Sequence, residues 1–149
     1  GVLKYASKRL KEDKEIVLQA VKSSGYALEY ASEKLKNDRE IVSEAVMYDG
    51  FSLDNASDEL KNDKQIVLQA IKRNSHSFKY ASDELKNDKE FILQIVKGNA
   101  GVLNHVSKEL KNDKEIVLQA VKSSALEFAS QKLKNDREIV SFKNASAAS

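Results

Sequence analysis

An aspartate recurs every 25 residues along most of this chain. It stands at Asp13, Asp38, Asp63, Asp88 and Asp113, then at Asp136 after a shorter interval of 23, and each copy opens the local pattern D-[KR]-[EQ]-[IF]-[VI]. A fixed period of this length is typical of repeat proteins, in which each repeat packs mainly on its neighbours. The chain is therefore predicted to fold as a stack of similar units.

Each aspartate is placed where it can begin a helix. An aspartate carboxylate directly before an apolar helical run accepts hydrogen bonds from the free backbone N–H groups at the helix start. After Asp13 the apolar side chains follow at helical spacing, at Ile16, Val17, Ala20 and Val21. We expect a first helix over Lys14–Ser23 and at the equivalent positions of the other repeats.

A second helix of about ten residues is predicted to complete each repeat, because apolar residues recur there at helical spacing. In the unit that follows Asp13, that stripe consists of Ala27, Leu28, Ala31 and Leu35. Gly25 and Gly50 suit the left-handed residue that ends a first helix, and Asn37 tolerates a left-handed turn after a second helix.

Hairpins of about 25 residues cannot bury their apolar stripes alone and must stack, so the predicted fold is an all-α solenoid of about twelve short helices. We expect residues 1–142 to form one helical-repeat domain and residues 143–149, which are small and polar, to form a disordered or frayed tail. Because the sequence opens in the middle of a repeat, we expect the array to continue or its ends to be covered by a partner.

Composition excludes several classes of protein. Without cysteine the chain has no disulfide and no thiolate metal site, and without proline it lacks the commonest helix breaker. Its net charge of +2 arises from 25 basic and 23 acidic residues, which is not the basic excess of a dedicated nucleic-acid binder. No apolar run reaches the roughly 18 residues of a membrane span. The cell compartment is not predicted, although a soluble intracellular protein is favoured over a secreted one.

The repeat resembles a family of uncharacterised helical repeats. The unit D-[KR]-E-I-V-x-x-A-V-K, followed by G-Y-A-L-x-Y-A-S-E-x-L-K-N, is similar to the repeats of the domain of unknown function numbered 4116, over nearly the whole chain. The resemblance implies helical repeats, often in long arrays in protist, bacterial and giant-virus proteins, and it implies no established activity. The chain departs from the pattern at Asn55 and His105, in a column usually held by tyrosine, and after Val140.

No pattern of catalytic residues is present. An enzyme needs a nucleophile, a base and a stabilising donor in one place, and no cofactor or metal motif occurs either. The two histidines, His76 and His105, occupy columns that other repeats fill with aromatic residues, so both are interpreted as substitutions at aromatic packing positions. We therefore expect neither an enzyme nor a cofactor.

A basic ladder is the first of two candidate binding surfaces. Its residues lie beside the cap aspartates and would line one edge of the stack: Lys36, Arg39, Lys61, Lys64, Lys86 and Lys89. A phosphate backbone could follow such an edge. Aspartates and glutamates accompany these cations at almost equal number, however, and this favours a solvated structural edge over nucleic-acid binding.

The turn between the two helices is the second candidate, because the repeats disagree there while the framework columns agree. We predict a partner-binding surface formed by Tyr48, Asp49, Phe51, Arg73 and His76. Drift at unconstrained surface positions is the alternative, as is a packing role in which Tyr48 and Phe51 cover their own turn. The predicted function is a non-enzymatic scaffold that binds a protein, and the alternative is an architectural spacer within a larger assembly.

Overall fold

The structure is a computed structural model that describes residues 1–122, 141 and 144–146. Asp136 and most of the predicted tail lie outside the described residues, and residues 144–146 are helical and exposed. Each repeat contains three helical segments in the order long α-helix, 3-10 helix and short α-helix. The fold is an all-α solenoid of helical repeats, as the 25-residue period predicts.

The helices follow the sequence period. The α-helices are α1 (Lys8–Lys11), α2 (Lys14–Ser23), α3 (Glu33–Lys36), α4 (Arg39–Tyr48), α5 (Asp58–Lys61), α6 (Lys64–Arg73), α7 (Asp83–Lys86), α8 (Lys89–Val96), α9 (Lys108–Lys111) and α10 (Lys114–Lys122). The 3-10 helices are Val2–Tyr5, Gly25–Tyr30, Gly50–Asn55, Ser75–Tyr80 and Ala100–Asn104.

The aspartate caps are confirmed in every repeat that the structure describes. The carboxylate of Asp63, for example, accepts hydrogen bonds from the backbone N–H groups of Gln65 at 2.9 Å and Ile66 at 3.0 Å. The equivalent bonds form at Asp13, Asp38, Asp88 and Asp113. The first helix begins and ends where the apolar arc predicts, at Lys14 and Ser23.

The prediction of one continuous second helix is wrong. Between the 3-10 helix and α3, Ala31 and Ser32 are both extended, with ψ angles of 157° and 155°. The Ser32 hydroxyl accepts a hydrogen bond from the N–H of Leu35, and its own N–H donates to the Lys11 carbonyl of the preceding repeat at 2.9 Å. Ser32 therefore ends the 3-10 segment and caps a new α-helix, because its hydroxyl and its N–H are both hydrogen-bonded in the extended conformation.

The asparagine after each short helix connects repeats. Asn37 has a φ of −102° and is not left-handed, contrary to the sequence prediction. Its side-chain oxygen accepts from the Ser57 hydroxyl at 2.5 Å, and its amide nitrogen donates to Glu59 at 3.0 Å. Asn62 repeats both contacts with Ser82 and Glu84. The Ala-Ser-x-x-Leu-Lys-Asn sequence thus encodes an inter-repeat hydrogen-bond ladder.

The described chain divides into two compact units, residues 1–85 and 86–149. In each, valine and isoleucine from the long helices pack with residues of the 3-10 helices, and the leucines of the short helices α3, α5, α7 and α9 are buried as well. Members of this core include Val42, Val67, Leu53, Phe78, Leu60 and Leu85 in the first unit and Ile92, Val102, Leu110 and Val117 in the second. No helix in the described ranges has the length and apolar character of a membrane span.

Candidate functional site: the turn edge

The turn edge consists of the residues that join each long helix to the following 3-10 helix. Asp49 and Asn74 are extended at this junction, with φ angles of −141° and −154°. The Asp49 carboxylate accepts from the N–H of Phe51, and the Asn74 side chain accepts from the N–H of His76, each at 3.0 Å. Asp49 therefore has a structural role, since it fixes the direction in which the 3-10 helix leaves the turn.

Gly25 and Gly50 have no positive φ angle, so the sequence prediction of left-handed helix ends is wrong for both. They permit close approach instead. A Cβ atom on Gly50 would lie 2.5 Å from the Ala70 carbonyl oxygen and 2.5 Å from the Ser77 hydroxyl of the next repeat. Gly25 has the same relation to Ala45 and Ser52. Glycine thus lets the backbones of adjacent repeats touch beside the turn.

Large apolar and aromatic side chains are exposed at the turn edge. The exposed fractions are 55% for Tyr26, 59% for Met47, 50% for Tyr48 and 38% for Phe51. Only three other large hydrophobic side chains are exposed to this degree in the described residues. His76 in the same column as Tyr26 and Phe51 is exposed as well.

Tyr48 and Arg73 are brought together across two adjacent repeats. The Nε of Arg73 donates a hydrogen bond to the Tyr48 carbonyl oxygen at 3.0 Å, although 25 residues separate them. This bond holds the Arg73 side chain against the end of the long helix of the preceding repeat.

Phe51 contacts the following repeat. Its ring meets the edge of Tyr80, with a centroid separation of 6.2 Å and an interplanar angle of 88°. The ammonium group of Lys79 lies 5.4 Å from the centre of the Phe51 ring and 4.5 Å from that of Tyr80. A cation over two aromatic rings is a favourable arrangement, because the negative face of each ring attracts it.

The sequence marks the Lys79 column as variable, but it does not predict that Lys79 and Tyr80 lie against Phe51. Both belong to the 3-10 helix Ser75–Tyr80, whose side-chain directions differ from those of the α-helix that was predicted there. The variability of the Lys79 column, which holds glutamate at Glu29 and aspartate at Asp54, was the available signal. His76 is exposed on the same 3-10 helix.

Two repeats before Lys79, the same column holds Glu29, which lies beside two tyrosines. Hydrogen bonding from the Tyr26 hydroxyl, and then from that of Tyr30, lowers the pKa of Glu29. The carboxylate in turn raises the pKa of Tyr30 to about 12. The second oxygen of Glu29, Oε2, is buried without a hydrogen-bond partner. The outer surface of the 3-10 helices therefore changes from acidic at Glu29 to basic at Lys79.

We call the cap aspartates together with the basic ladder the cap edge. Its electrostatic character differs from that of the turn edge. Lys89 pairs with Asp113 at 2.8 Å and with Glu115 at 2.9 Å in the next repeat. Lys14 pairs in the same way with Asp38 and Glu40, and Arg39 pairs with Asp63. These carboxylates raise the pKa of Lys14 and of Lys89. Arg39 and Lys89 of the basic ladder thus form ion pairs between adjacent repeats.

The remaining ladder residues are Lys36, Lys61, Lys64 and Lys86. Lys36 pairs with Glu33 at 2.9 Å, Lys61 and Lys86 are partly buried, and Lys64 is exposed. Within the described parts of the chain, no group of three or more His, Cys, Asp or Glu side chains could hold a metal ion.

Comparison with protein families finds one match. The family described as a domain of unknown function, DUF4116, matches residues 1–36, 13–61, 38–86 and 88–125, in overlapping segments that follow the repeats. Comparisons with curated proteins and with solved structures found no match. Because the family matches cover most of the sequence and recur with its period, the chain belongs to the DUF4116 family of helical repeats.

Proposed function

We propose that the chain is a non-enzymatic protein-interaction module that presents its turn edge to a protein partner. The observation that supports this most directly is the exposure of Tyr48 and Phe51 where the repeats differ in sequence, while the columns shared between repeats are buried. The contact surface consists of Tyr48, Phe51 and Arg73 together with Lys79 and Tyr80, and we call it the turn patch.

The chemical character of the turn patch suits protein recognition. Tyrosine and arginine are over-represented among the residues that dominate binding energy, and clustered exposed apolar side chains mark interaction surfaces. The Arg73 side chain is held by its bond to the Tyr48 carbonyl, so less conformational entropy is lost when a partner binds.

The cap edge supports a phosphate-binding function less well. Lys14, Arg39 and Lys89 are each paired with carboxylates of the next repeat, so a phosphate backbone would have to displace these partners. An architectural spacer remains the second candidate, and the hydrogen-bond ladder between repeats favours it. A spacer would make its contacts at the ends of the array and would not need an exposed turn patch.

The proposal is tested by a pull-down. The full chain and the double variant Tyr48→Ser with Arg73→Ser are each immobilised on a support and incubated with native lysate. A matched control, Lys8→Ser with Lys34→Ser, removes two exposed cations from the short helices α1 and α3. Recovered proteins are quantified by mass spectrometry, with and without nuclease, and folding is checked by urea unfolding. We expect selective loss of one or more protein partners in the turn variant alone. Recovery of every partner by a folded turn variant contradicts the proposal.

A further inference from the structure

The cations of the turn edge differ from those of the cap edge in having no carboxylate partner. Lys72, Arg73 and Lys79 are all exposed and close in sequence, and none forms an ion pair within the residues that the structure describes. Arg73 uses only Nε, for the Tyr48 carbonyl, so both of its terminal amino groups remain available. An arginine fork in this state binds a carboxylate through two parallel hydrogen bonds.

Aromatic rings accompany these cations. Phe51 and Tyr80 meet edge to face, with the Lys79 ammonium over both rings, and the Tyr48 carbonyl accepts a hydrogen bond from Arg73. Met47 precedes Tyr48 at the end of α4 and is exposed. The surface therefore offers positive charge and an apolar contact to one ligand at the same time.

Few acidic residues are close in sequence to these cations, and one of them is already hydrogen-bonded. Asp49 and Asp54 are the acidic residues closest in sequence to Phe51, and the Asp49 carboxylate already accepts the N–H of Phe51. In the column of Lys79, the two preceding repeats carry Asp54 and Glu29. The column of Lys72 also holds Lys22 and Lys97, but Arg73 and Lys79 have no basic counterpart in the two preceding repeats, and the Lys79 column is acidic there.

The change from Lys79 to acidic residues in the two preceding repeats distinguishes between classes of ligand. A nucleic acid carries a phosphate at every nucleotide, so it would meet Asp54 and Glu29 as it continued along the edge, and few counterions would be released. A short acidic peptide needs only two or three cations and an apolar contact, and it ends before the acidic repeats. The surface therefore favours a short acidic peptide.

We propose that the turn patch, with Lys72 beside it, binds a short acidic segment of a protein that also bears an aromatic side chain. Carboxylates of the segment pair with Arg73 and Lys79, and its aromatic side chain packs on Tyr48 and Phe51. This inference rests on the proposed function of the turn patch and specifies the chemistry of the partner.

The test measures binding of three labelled polymers to the full chain by fluorescence anisotropy at low salt. They are a random copolymer of glutamate and tyrosine, polyglutamate of matched length, and polyuridylic acid. The variant Arg73→Ser with Lys79→Ser removes the two cations, and Phe51→Ser removes the aromatic contact. The control is again Lys8→Ser with Lys34→Ser, which changes the net charge by the same amount. If Phe51→Ser fails to fold, Tyr48→Ser replaces it, since Tyr48 is half exposed.

We expect the glutamate–tyrosine copolymer to bind more tightly than polyglutamate. The double cation variant should bind it about tenfold more weakly, an effect in the range of interface residues that contribute more than about 1 kcal/mol. The control should bind as the parent chain does. Equal affinity for both acidic polymers, or equal weakening by the control, overturns the inference. Patch-dependent binding of polyuridylic acid in preference to the copolymer also overturns it and assigns the patch to nucleic acid.

The two proposals fail in different ways. If the Tyr48 and Arg73 variant loses a protein partner from lysate but the copolymer does not bind, the interaction function stands and the acidic chemistry is wrong. If no protein partner depends on Tyr48 and Arg73, the proposed function fails whatever the copolymer does.

Discussion

At the scale of single residues, contacts between adjacent repeats explain positions whose identity is otherwise puzzling. Ser77 is fully buried, yet its hydroxyl has no hydrogen-bond partner, and Gly50 of the preceding repeat lies against it. Ser52 is related to Gly25 in the same way. The small residue on one repeat and the buried hydroxyl on the next form one packing unit, so substitutions at the two positions should affect each other.

Gly50→Ala should destabilise the protein by about 1 to 3 kcal/mol, the usual range for overpacking. The added Cβ would lie 2.5 Å from a backbone oxygen and 2.5 Å from the Ser77 hydroxyl, and the backbone oxygen cannot rotate away. Urea unfolding followed by circular dichroism measures the loss. Adding Ser77→Ala should recover only part of it, because the contact with Ala70 remains. A stability equal to that of the parent chain would show that the repeats separate easily.

Ser77→Ala alone should raise the free energy of unfolding by roughly 1 kcal/mol, the low end of the penalty for an unpaired buried polar group. The first complete repeat already carries alanine at the equivalent position, Ala27, where it is buried. Thermal and urea unfolding of the variant and parent chain provide the measurement. A loss of stability of similar size would show that the hydroxyl makes a hydrogen bond in solution.

At the scale of elements, the same sequence stands in two environments. The sequence from Asp13 to Lys22 recurs letter for letter from Asp113 to Lys122, so α2 and α10 share their intrinsic propensity. In α10, Ile116 is fully buried, and Lys89 of the preceding repeat pairs with Asp113 at the start of the helix. Ile16 of α2 is 37% exposed. Differences between the two helices therefore measure what a covering repeat contributes.

Ile116→Ala should cost about 2 to 5 kcal/mol, as expected for a fully buried isoleucine, and Ile16→Ala should cost clearly less. Both variants remove the same atoms from the same helical sequence, so propensity cancels in the comparison. Urea unfolding gives the two losses, and native-state hydrogen exchange shows whether the helix that carries each substitution opens locally. Equal losses would mean that the environment of this face contributes little.

The elements also show what the sequence can predict. The long helices and their caps were predictable because an aspartate and a 3.6-residue apolar pattern are local signals. The break at Ala31–Ser32 was not, since an apolar stripe continues through Leu35, and one of the two hydrogen bonds that favour the extended conformation is made to the Lys11 carbonyl of another repeat. Tyr48 and Arg73 were predictable as a pair from the period. The place of Lys79 over Phe51 depends on 3-10 geometry that the pattern does not contain.

At the scale of the whole molecule, the ion pairs of the cap edge recur from repeat to repeat and link stability to pH. Burial raises the pKa of Asp63, but hydrogen bonds from Arg39 and from backbone N–H groups outweigh it, so the pKa of this carboxyl lies below its ordinary value of 3.8. The same opposition, with Lys14 as the partner, lowers the pKa of Asp38. For Asp113 the Lys89 ammonium is the main cause of a lowered pKa. Each carboxylate thus prefers its charged form more strongly in the folded chain than in the unfolded chain.

The free energy of unfolding should therefore fall on acidification, in a window set by these carboxylates. A group whose pKa is lowered by folding contributes its full stabilisation above its unfolded pKa, and this contribution is lost as the pH falls through the folded value. We expect a plateau near neutral pH and a decline that begins near pH 4, close to the ordinary aspartate pKa of about 3.9. Urea unfolding between pH 7 and pH 2 measures this decline.

The double variant Asp38→Asn with Asp63→Asn tests whether the cap carboxylates cause it. Asparagine can still cap a helix but cannot ionise, so the variant should be less stable at pH 7 and its stability should decline less steeply with acid. The matched substitutions Asp54→Asn and Asp58→Asn, at exposed carboxylates outside the cap edge, should leave the slope close to that of the parent chain. If the slope of the cap variant equals that of the parent, the acid response originates elsewhere and the cap carboxylates do not link stability to pH.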